Sequence, residues 1–264
     1  MLGDAPVVQC LVIGGHLATV IDTGVGVYQE FSRTIRSLTG RPLICLLTHG
    51  GPDHIGGAGA FDHIYMNAND DTIARDAFRA ERRLGDVKMT SGNDTELLTY
   101  MNDNMDKSDF FTYTPVNPGD KFDLGSITLT AYHLSGHTPG SMCFVDYDSW
   151  MAFTGDSVAS MTQAELLAPR CTSLATYQNA LATFALAMPH EIALYSGHKL
   201  EPFDRDIFNQ METGCQEILD GDTVNDEHAD LPFAQLKDTA TFAPKKHFIG
   251  DGKYQIFYNA AKLH

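Results

Sequence analysis

The sequence has few basic residues for its length. Lysine and arginine number 18 among 264 residues, against 34 aspartates and glutamates, so the formal net charge is −16 at pH 7. Proteins bind the phosphates of nucleic acids mainly through basic side chains, which displace condensed counterions, and no basic run occurs in this chain. The composition therefore argues against a nucleic acid as partner or substrate. It also argues mildly against highly anionic small substrates.

Long apolar segments are missing as well. No run approaches the roughly 18 apolar residues that a membrane-spanning helix needs. The first residues show no basic segment followed by an apolar core and a cleavage site of small residues. We therefore expect no membrane association and a cytoplasmic location.

Cysteine is sparse, and its distribution does not suggest disulfide bonds. The cysteines are odd in number, widely spaced and mostly set in apolar stretches: Cys10, Cys45, Cys143, Cys171 and Cys215. This pattern favours buried free thiols in a reducing compartment.

The clearest positive feature is that four apolar, strand-like segments end in the same way. Each stops at small residues followed by a histidine or an aspartate: LICLLTH at His49, ITLTAYHLSGH at His137, MAFTGD at Asp156 and IALYSGH at His198. Repetition of this pattern at four distant places predicts one sheet edge where imidazoles and carboxylates converge. Such convergence is typical of a metal site.

The densest of these segments is His49-Gly50-Gly51-Pro52-Asp53-His54. Gly-Gly-Pro cannot continue a helix, so the segment is predicted to be a tight loop after a strand. His49, Asp53 and His54 can then point at a common centre. For any one of them alone a structural role is the commoner explanation, such as a helix cap or the partner of a buried carbonyl. The other three strand ends shift the balance to a metal site.

Together these segments resemble the metallo-β-lactamase superfamily. Residues 48–57 are similar to its His-x-His-x-Asp-His signature, which follows a strand. Further segments resemble other family motifs in the same order: Ala18–Gly24, Ser135–Ser141, Phe153–Asp156 and Gly197-His198. The resemblance implies an α+β fold, a four-layer αββα sandwich with two sheets face to face and helices outside. One domain would span residues 1–264.

The resemblance also implies the role of each site residue. His49 and His137 would bind a first metal ion, and Asp53, His54 and His198 a second. Asp156 would bridge the two, and Asp22 would support the site without binding metal. Zinc is the expected cofactor, as one or two ions, with iron or manganese as alternatives.

Gly51 departs from the family signature, because it stands where the second histidine would be. Three possibilities remain open: a dinuclear hydrolase with a loosened first position, a mononuclear zinc hydrolase, or an Fe(II) site of His49, His137 and Asp156 resembling the persulfide dioxygenases. A non-catalytic metal-binding module is a fourth.

Hydrolysis is favoured over persulfide oxidation because it assigns a role to Asp53, His54 and His198. The expected reaction is attack of zinc-bound hydroxide on a small ester, thioester, lactone or amide, with Asp53 orienting or deprotonating the water.

The remaining segments carry less information. We predict a charged helix from about Asp70 to Leu84 and a closing hairpin of Lys246–Ile249 and Tyr254–Tyr258. Residues 86–114 suit a partly helical flap over the site, whose methionines and aromatics could also serve a homo-oligomer. His63 could in principle replace the missing ligand at Gly51, although it sits in a predicted strand. No motif identifies the residues that bind the substrate.

Overall fold

The computed structural model describes residues 6–159, 162–167, 170–229 and 241–264. The strands are β1 (Cys10–Ile13), β2 (Ala18–Ile21), β3 (Leu43–Leu46), β4 (Ile64–Met66), β5 (Thr114–Pro115), β6 (Lys121–Asp123), β7 (Thr128–His133), β8 (Met142–Asp146), β9 (Met151–Gly155), β10 (Gln163–Leu166), β11 (Ala193–Ser196), β12 (Glu227–His228), β13 (Pro244–Ile249) and β14 (Tyr254–Asn259). The helices are α1 (Tyr28–Leu38), α2 (Pro52–Ile55), α3 (Asp71–Ala77), α4 (Ala80–Thr90), α5 (Thr95–Asn104), α6 (Leu174–Ala187) and α7 (Asp206–Leu219).

Two five-stranded sheets form the centre of the fold. In the first, of order β1-β2-β3-β4-β5, an antiparallel hairpin leads into parallel strands. In the second, of order β11-β9-β8-β7-β6, β11 runs parallel to β9 and the other pairs are antiparallel. A shared apolar core lies between the two sheets, with Leu46 contributed by β3 and Phe144 by β8.

The alternation of side chains along each strand sets the order of the layers. Leu46 points between the sheets, whereas the adjacent Cys45 packs on the opposite side against the cluster of α1. Phe144 likewise faces the shared core, while Cys143 and Val145 face the cluster of α6 and α7. Strands that are buried on both faces appear in the sequence as continuous apolar runs. The predicted four-layer αββα sandwich is confirmed.

A third sheet, of order β10-β14-β13-β12, packs on α7. Its β13 and β14 are the predicted closing hairpin, paired from Pro244 with Asn259 to Ile249 with Tyr254. Ile249 and Ile256 extend the core beneath α7. The C-terminal hairpin therefore belongs to the main core.

The helix predicted from about Asp70 to Leu84 is wrong as a single element. The chain forms α3 and α4, separated at Phe78 and Arg79, and Arg79 has an extended backbone (φ −60°, ψ 134°). The break leaves the Phe78 carbonyl free to accept from Nε of the fully buried Arg83, at 3.0 Å. Helical periodicity continues through the break, so the pattern alone did not reveal it.

Residues 86–114 form the end of α4, helix α5 and the chain leading to β5. Met101 and Met105 are buried with Val87 in a small separate cluster. Phe111 packs against Phe78 with ring centroids 5.2 Å apart, so it belongs to the helical layer. A role of this segment as a flap over the site, or in oligomer formation, stays a prediction.

The described helices include none that is long and apolar enough to cross a membrane. Cys10, Cys45, Cys143 and Cys215 are free thiols, and the last three are buried. Burial raises the pKa of Cys143 to about 12, so its thiol stays protonated. The prediction of buried free thiols is confirmed for Cys45, Cys143 and Cys215.

One buried histidine links α7 to the third sheet. His247 Nδ1 lies 2.7 Å from Asp226 Oδ1, and its Nε2 lies 3.0 Å from Glu217 Oε2. Burial opposes a charge on the ring, but the bonds to Glu217 and Asp226 raise the pKa of His247 above its usual value. Protonated His247 therefore stabilises the fold below the unfolded pKa of about 6.5, and this contribution is lost as the pH rises through the folded pKa.

We expect His247→Gln to lower the free energy of unfolding by about 1–3 kcal/mol at pH 6 and by less at pH 9, because charged hydrogen bonds are lost only where the ring is charged. Urea unfolding at both pH values measures the difference. The exposed His190, changed to Gln, is the control. An equal loss at both pH values would show that packing, and not charge, is what His247 contributes.

Candidate functional site

Strand ends from both sheets meet at one edge of the sandwich. His49 follows β3 in the first sheet, and Asp156 follows β9 directly in the second. His198 follows β11, which runs parallel to β9, and His137 lies in the loop between β7 and β8. The predicted convergence of these four segments is present in the structure.

The one-turn helix α2 presents Asp53 and His54 to the same edge. Gly51 precedes it with an extended backbone, and Pro52 occupies its first position, where a missing N–H costs nothing. The amides of His54 and Ile55 donate to the Gly51 carbonyl. The local sequence thus turns the chain into the site directly after β3.

Two aspartates and two histidines form the tightest part of the site. His198 Nε2 lies 3.3 Å from both Asp53 Oδ2 and Asp156 Oδ2. His54 Nε2 lies 3.5 Å from Asp156 Oδ2 and 3.8 Å from Asp53 Oδ2. We call this set the acidic cluster: Asp53, His54, Asp156 and His198.

His49 and His137 border the acidic cluster on one side. The rings of His49 and His54 have centroids 4.1 Å apart, and those of His49 and His137 are 4.9 Å apart. His137 Nε2 is 3.9 Å from Asp156 Oδ2. One donor atom each of His49, His54 and Asp156 lies within 4.8 Å of the others. All six predicted ligands are thus brought together.

Three of the imidazoles are oriented by an acceptor at Nδ1. The pairs are His54 with Asp22 Oδ2 (2.8 Å), His137 with the Glu165 carbonyl (2.9 Å) and His198 with the Pro6 carbonyl (2.8 Å). A carbonyl oxygen only accepts, so Nδ1 carries the proton, and Nε2 of a neutral ring offers its lone pair to the site. Such outer hydrogen bonds are typical of histidines that bind metals.

Asp22 supports the site from the end of β2. Its carboxylate accepts from Nδ1 of His54 and from the amide and hydroxyl of Thr48, at 2.8 and 2.7 Å. Its backbone is left-handed (φ 60°), a conformation that aspartate tolerates better than most residues. Asp22 thereby fixes the loop of His49 and the helix of His54 relative to each other.

The electrostatics of the acidic cluster favour positive charge. Burial lowers the pKa of His54, but Asp156, Asp53 and Asp22 outweigh it and hold that pKa well above the usual range. In the same way Asp156 and Asp53 raise the pKa of His198 to about 9 against the effect of burial. The pKa of His49 is held well below its usual value by burial and by the charges of His54 and His137. A proton or a cation is therefore favoured between the carboxylates.

A divalent metal ion fits this donor set. His54 Nε2 and Asp156 Oδ1 are buried, and within the described part of the chain neither has a hydrogen-bond partner. Buried polar atoms rarely stay unpaired, and imidazole nitrogens with carboxylate oxygens are common ligands of zinc and iron. A Cβ on Gly197 would overlap Asp156 Oδ1 and lie 2.6 Å from His54 Cε1, so glycine keeps this space open.

Gly51 supplies no ligand, and its surroundings also leave little room for a side chain. A Cβ at this position would lie only 2.5 Å from His49 Nε2 and 3.4 Å from Asp53 Oδ1. The imidazole of His49 thus occupies the direction that a side chain at position 51 would take. The His49 side keeps two histidines and Asp156, whereas the acidic cluster keeps four potential ligands. His63 is exposed at the start of β4 and takes no part in the described clusters of potential metal ligands.

Sequence reasoning missed Asp70, which joins the two histidine loops. The buried carboxylate of Asp70 accepts from the amide of Gly50 (2.8 Å), the hydroxyl of Thr138 (2.6 Å) and the amide of Gly140 (2.7 Å). These groups flank His49 and His137. Asp70 stands in a polar run before α3, and nothing in the sequence distinguishes it from its exposed neighbours.

Comparisons with known proteins agree with this geometry. A family model described as the metallo-beta-lactamase superfamily matches residues 3–198. The bovine protein named acyl-coenzyme A thioesterase MBLAC2 is 30% identical over 167 residues, which cover 56% of this chain and 57% of that protein. The chain thus matches little more than half of the length of this relative.

Solved structures share the fold. A metallo-beta-lactamase from Pontibacter korlensis superimposes with a TM-score of 0.59 at 18% identity, over 80% of this chain and 88% of that chain. The protein TTHA1623 in a di-iron-bound form gives a TM-score of 0.56 at 19% identity, over 78% of this chain and 94% of its own. At these identities the likeness shows the fold alone.

We expect Asp70→Asn to lower the free energy of unfolding by about 1.5–3 kcal/mol, because buried hydrogen bonds to a charged acceptor are weakened. Amide exchange at Gly50 and Gly140 should quicken with it, as measured by hydrogen exchange and urea unfolding.

The matched control is Asp71→Asn, which removes the charge paired with the exposed Arg75, keeps an oxygen that can accept from the Tyr113 hydroxyl, and should cost at most about 1 kcal/mol. If exchange at Gly50 and Gly140 were unchanged in Asp70→Asn, the proposed link between the two histidine loops would be wrong.

Proposed function

Because the chain belongs to the metallo-β-lactamase superfamily, we propose that it is a metal-dependent hydrolase of acyl thioesters. The observation that supports metal binding is the acidic cluster. Its His54 Nε2 and Asp156 Oδ1 are buried and have no hydrogen-bond partner among the described residues. Support for the thioester comes from the name of the bovine relative, an acyl-coenzyme A thioesterase. That name describes the relative, and its extension to this chain is our inference.

We assign the strongest metal position to the acidic cluster. Its donor set of two histidines and two carboxylates suits zinc, with iron or manganese as alternatives. The second position would consist of His49, His137 and Asp156, with Asp156 shared. Because Gly51 supplies no ligand, this position should bind its ion more weakly.

When bound, a divalent cation lowers the pKa of water and polarises a carbonyl oxygen. The chain's own groups do the positioning. The side chain of Asp53 is 27% exposed and that of Asp156 is 10% exposed, so Asp53 is the carboxylate more accessible to an attacking water. We assign to Asp53 the orientation of that water and acceptance of its proton. Asp22 and the Pro6 carbonyl keep His54 and His198 in place.

The fixed imidazoles also favour a thioester. His54, His137 and His198 each hold the Nδ1 proton against an acceptor, an arrangement that suits ligands better than mobile proton donors. A departing thiolate needs little help from an acid, because its pKa of about 8.5 lies far below that of an alkoxide or amide ion. As metal ligands, these imidazoles would have no proton to give from Nε2, so a substrate whose leaving group needs little acid help suits the site best.

We expect the protein stripped with a chelator to lose hydrolysis of acyl-coenzyme A thioesters and to regain it with zinc. Asp53→Asn and His198→Ala should lower kcat/KM by at least about 100-fold, since a positioned base and a metal ligand are removed. Steady-state release of the thiol measures the rate, and metal analysis accompanies each variant.

The control is His63→Ala, which changes an exposed histidine outside the site and should keep full activity. Turnover that resists the chelator, or that survives His198→Ala, would contradict metal-dependent hydrolysis. Hydrolysis of esters or lactones with no turnover of thioesters would reject the substrate class alone.

A further inference from the structure

An arginine lies beside the site on the His137 side. The chain on both sides of Arg170 is fastened to the His137 loop: the Glu165 carbonyl accepts from His137 Nδ1 at 2.9 Å, and the Thr172 amide donates to the Gly136 carbonyl at 2.9 Å. Arg170 is half-buried between these contacts. Its position is therefore set by the same loop that presents His137.

No hydrogen bond to a described residue accounts for the Nε of Arg170. Its Nε is buried, and among the residues that the structure describes it has no hydrogen-bond partner. Arg83 provides the contrast, because its buried guanidinium donates to the backbone carbonyls of Phe78, Val25, Gly56 and Asp106. A buried N–H without an acceptor is costly, which points to an acceptor that binds from outside the chain.

The charge of Arg170 affects the pKa values of His49 and Asp86. Behind the larger effects of burial and of neighbouring imidazoles, it contributes to lowering the pKa of His49. It also opposes the rise in the pKa of Asp86 that burial causes. The geometry agrees, because the segment that carries Arg170 is bonded to the loop of Gly136 and His137 on both sides. A molecule held beside His137 would therefore lie next to this segment.

We propose that Arg170 binds a carboxylate that the substrate carries close to its scissile carbonyl. This rests on the proposed function and narrows its substrate to thioesters of dicarboxylic acids. The planar guanidinium matches a carboxylate with two parallel hydrogen bonds. The phosphates of coenzyme A are a poor fit, because the whole pantetheine arm separates them from the thioester. The carboxylate adds to the negative charge of a coenzyme A thioester, which the acidic composition disfavours, and Arg170 supplies a local positive charge that offsets it.

Asp86 offers the competing explanation. Both of its carboxylate oxygens are buried without a hydrogen-bond partner in the described regions, and one lies 3.5 Å from Arg82 Nη2. If Arg170 served only to balance this charge, removing either Asp86 or Arg170 would disturb the site in the same way for every substrate. A substrate-binding Arg170 affects only substrates that carry the carboxylate.

The test compares two coenzyme A thioesters of equal chain length, one of a monocarboxylic and one of a dicarboxylic acid, with the zinc-loaded enzyme. We expect Arg170→Gln to lower kcat/KM for the carboxylated substrate by about 10- to 100-fold, mainly through KM. The uncharged substrate should change by less than about threefold, and Arg170→Lys should fall between. Asp86→Asn should leave the ratio between the two substrates unchanged.

A binding measurement separates this proposal from the proposed function. Calorimetry with the free dicarboxylic acid should show binding to the zinc-loaded protein that weakens by a similar factor in Arg170→Gln, whether or not any thioester is hydrolysed. Equal losses for both substrates would overturn the proposal, as would dicarboxylate binding that is indifferent to Arg170. Circular dichroism and metal content of each variant must match those of the parent protein.

Discussion

The hydrogen bond between His54 and Asp22 is the contact on which the site depends. Both groups are buried, and removing one partner of such a pair typically costs about 3–5 kcal/mol because the other is left uncompensated. Asp22 belongs to the end of β2 and also holds Thr48, whereas His54 belongs to α2. One carboxylate therefore ties the first sheet to the two loop segments that present His49, Asp53 and His54.

The sandwich explains why so many polar groups share one edge. The parallel strands β9 and β11 end on the same side of their sheet, and the segment after β3 in the facing sheet reaches the same edge. Each strand is held by apolar contacts on both faces, which leaves its terminal loop free to carry polar residues. Asp70 then joins the loops of His49 and His137 across the two sheets. The buried charges are costly, and a bound cation would offset that cost.

Much of this arrangement could be predicted from the sequence. The strand Met142–Asp146 has the predicted bounds, since a doubly buried strand is a continuous apolar run. Four of the six potential ligands could be named because they stand at the ends of such runs, and the resemblance to the superfamily signature added Asp53 and His54. Groups whose role depends on contacts between distant segments could not be found. Asp70 lies in a polar stretch without periodicity, and Arg170 lies in a short segment that carries no motif. The partners of His137 and His198 are backbone carbonyls, which no residue type reveals.

The central claim is that the acidic cluster holds a metal ion in preference to the His49 side. Anomalous diffraction from crystals of the zinc-loaded protein, collected above and below the zinc edge, tests it most directly. We expect a fully occupied peak bounded by Asp53, His54, Asp156 and His198, and a weaker peak or none beside His49 and His137. A peak only on the His49 side, or no peak at the acidic cluster, would contradict it.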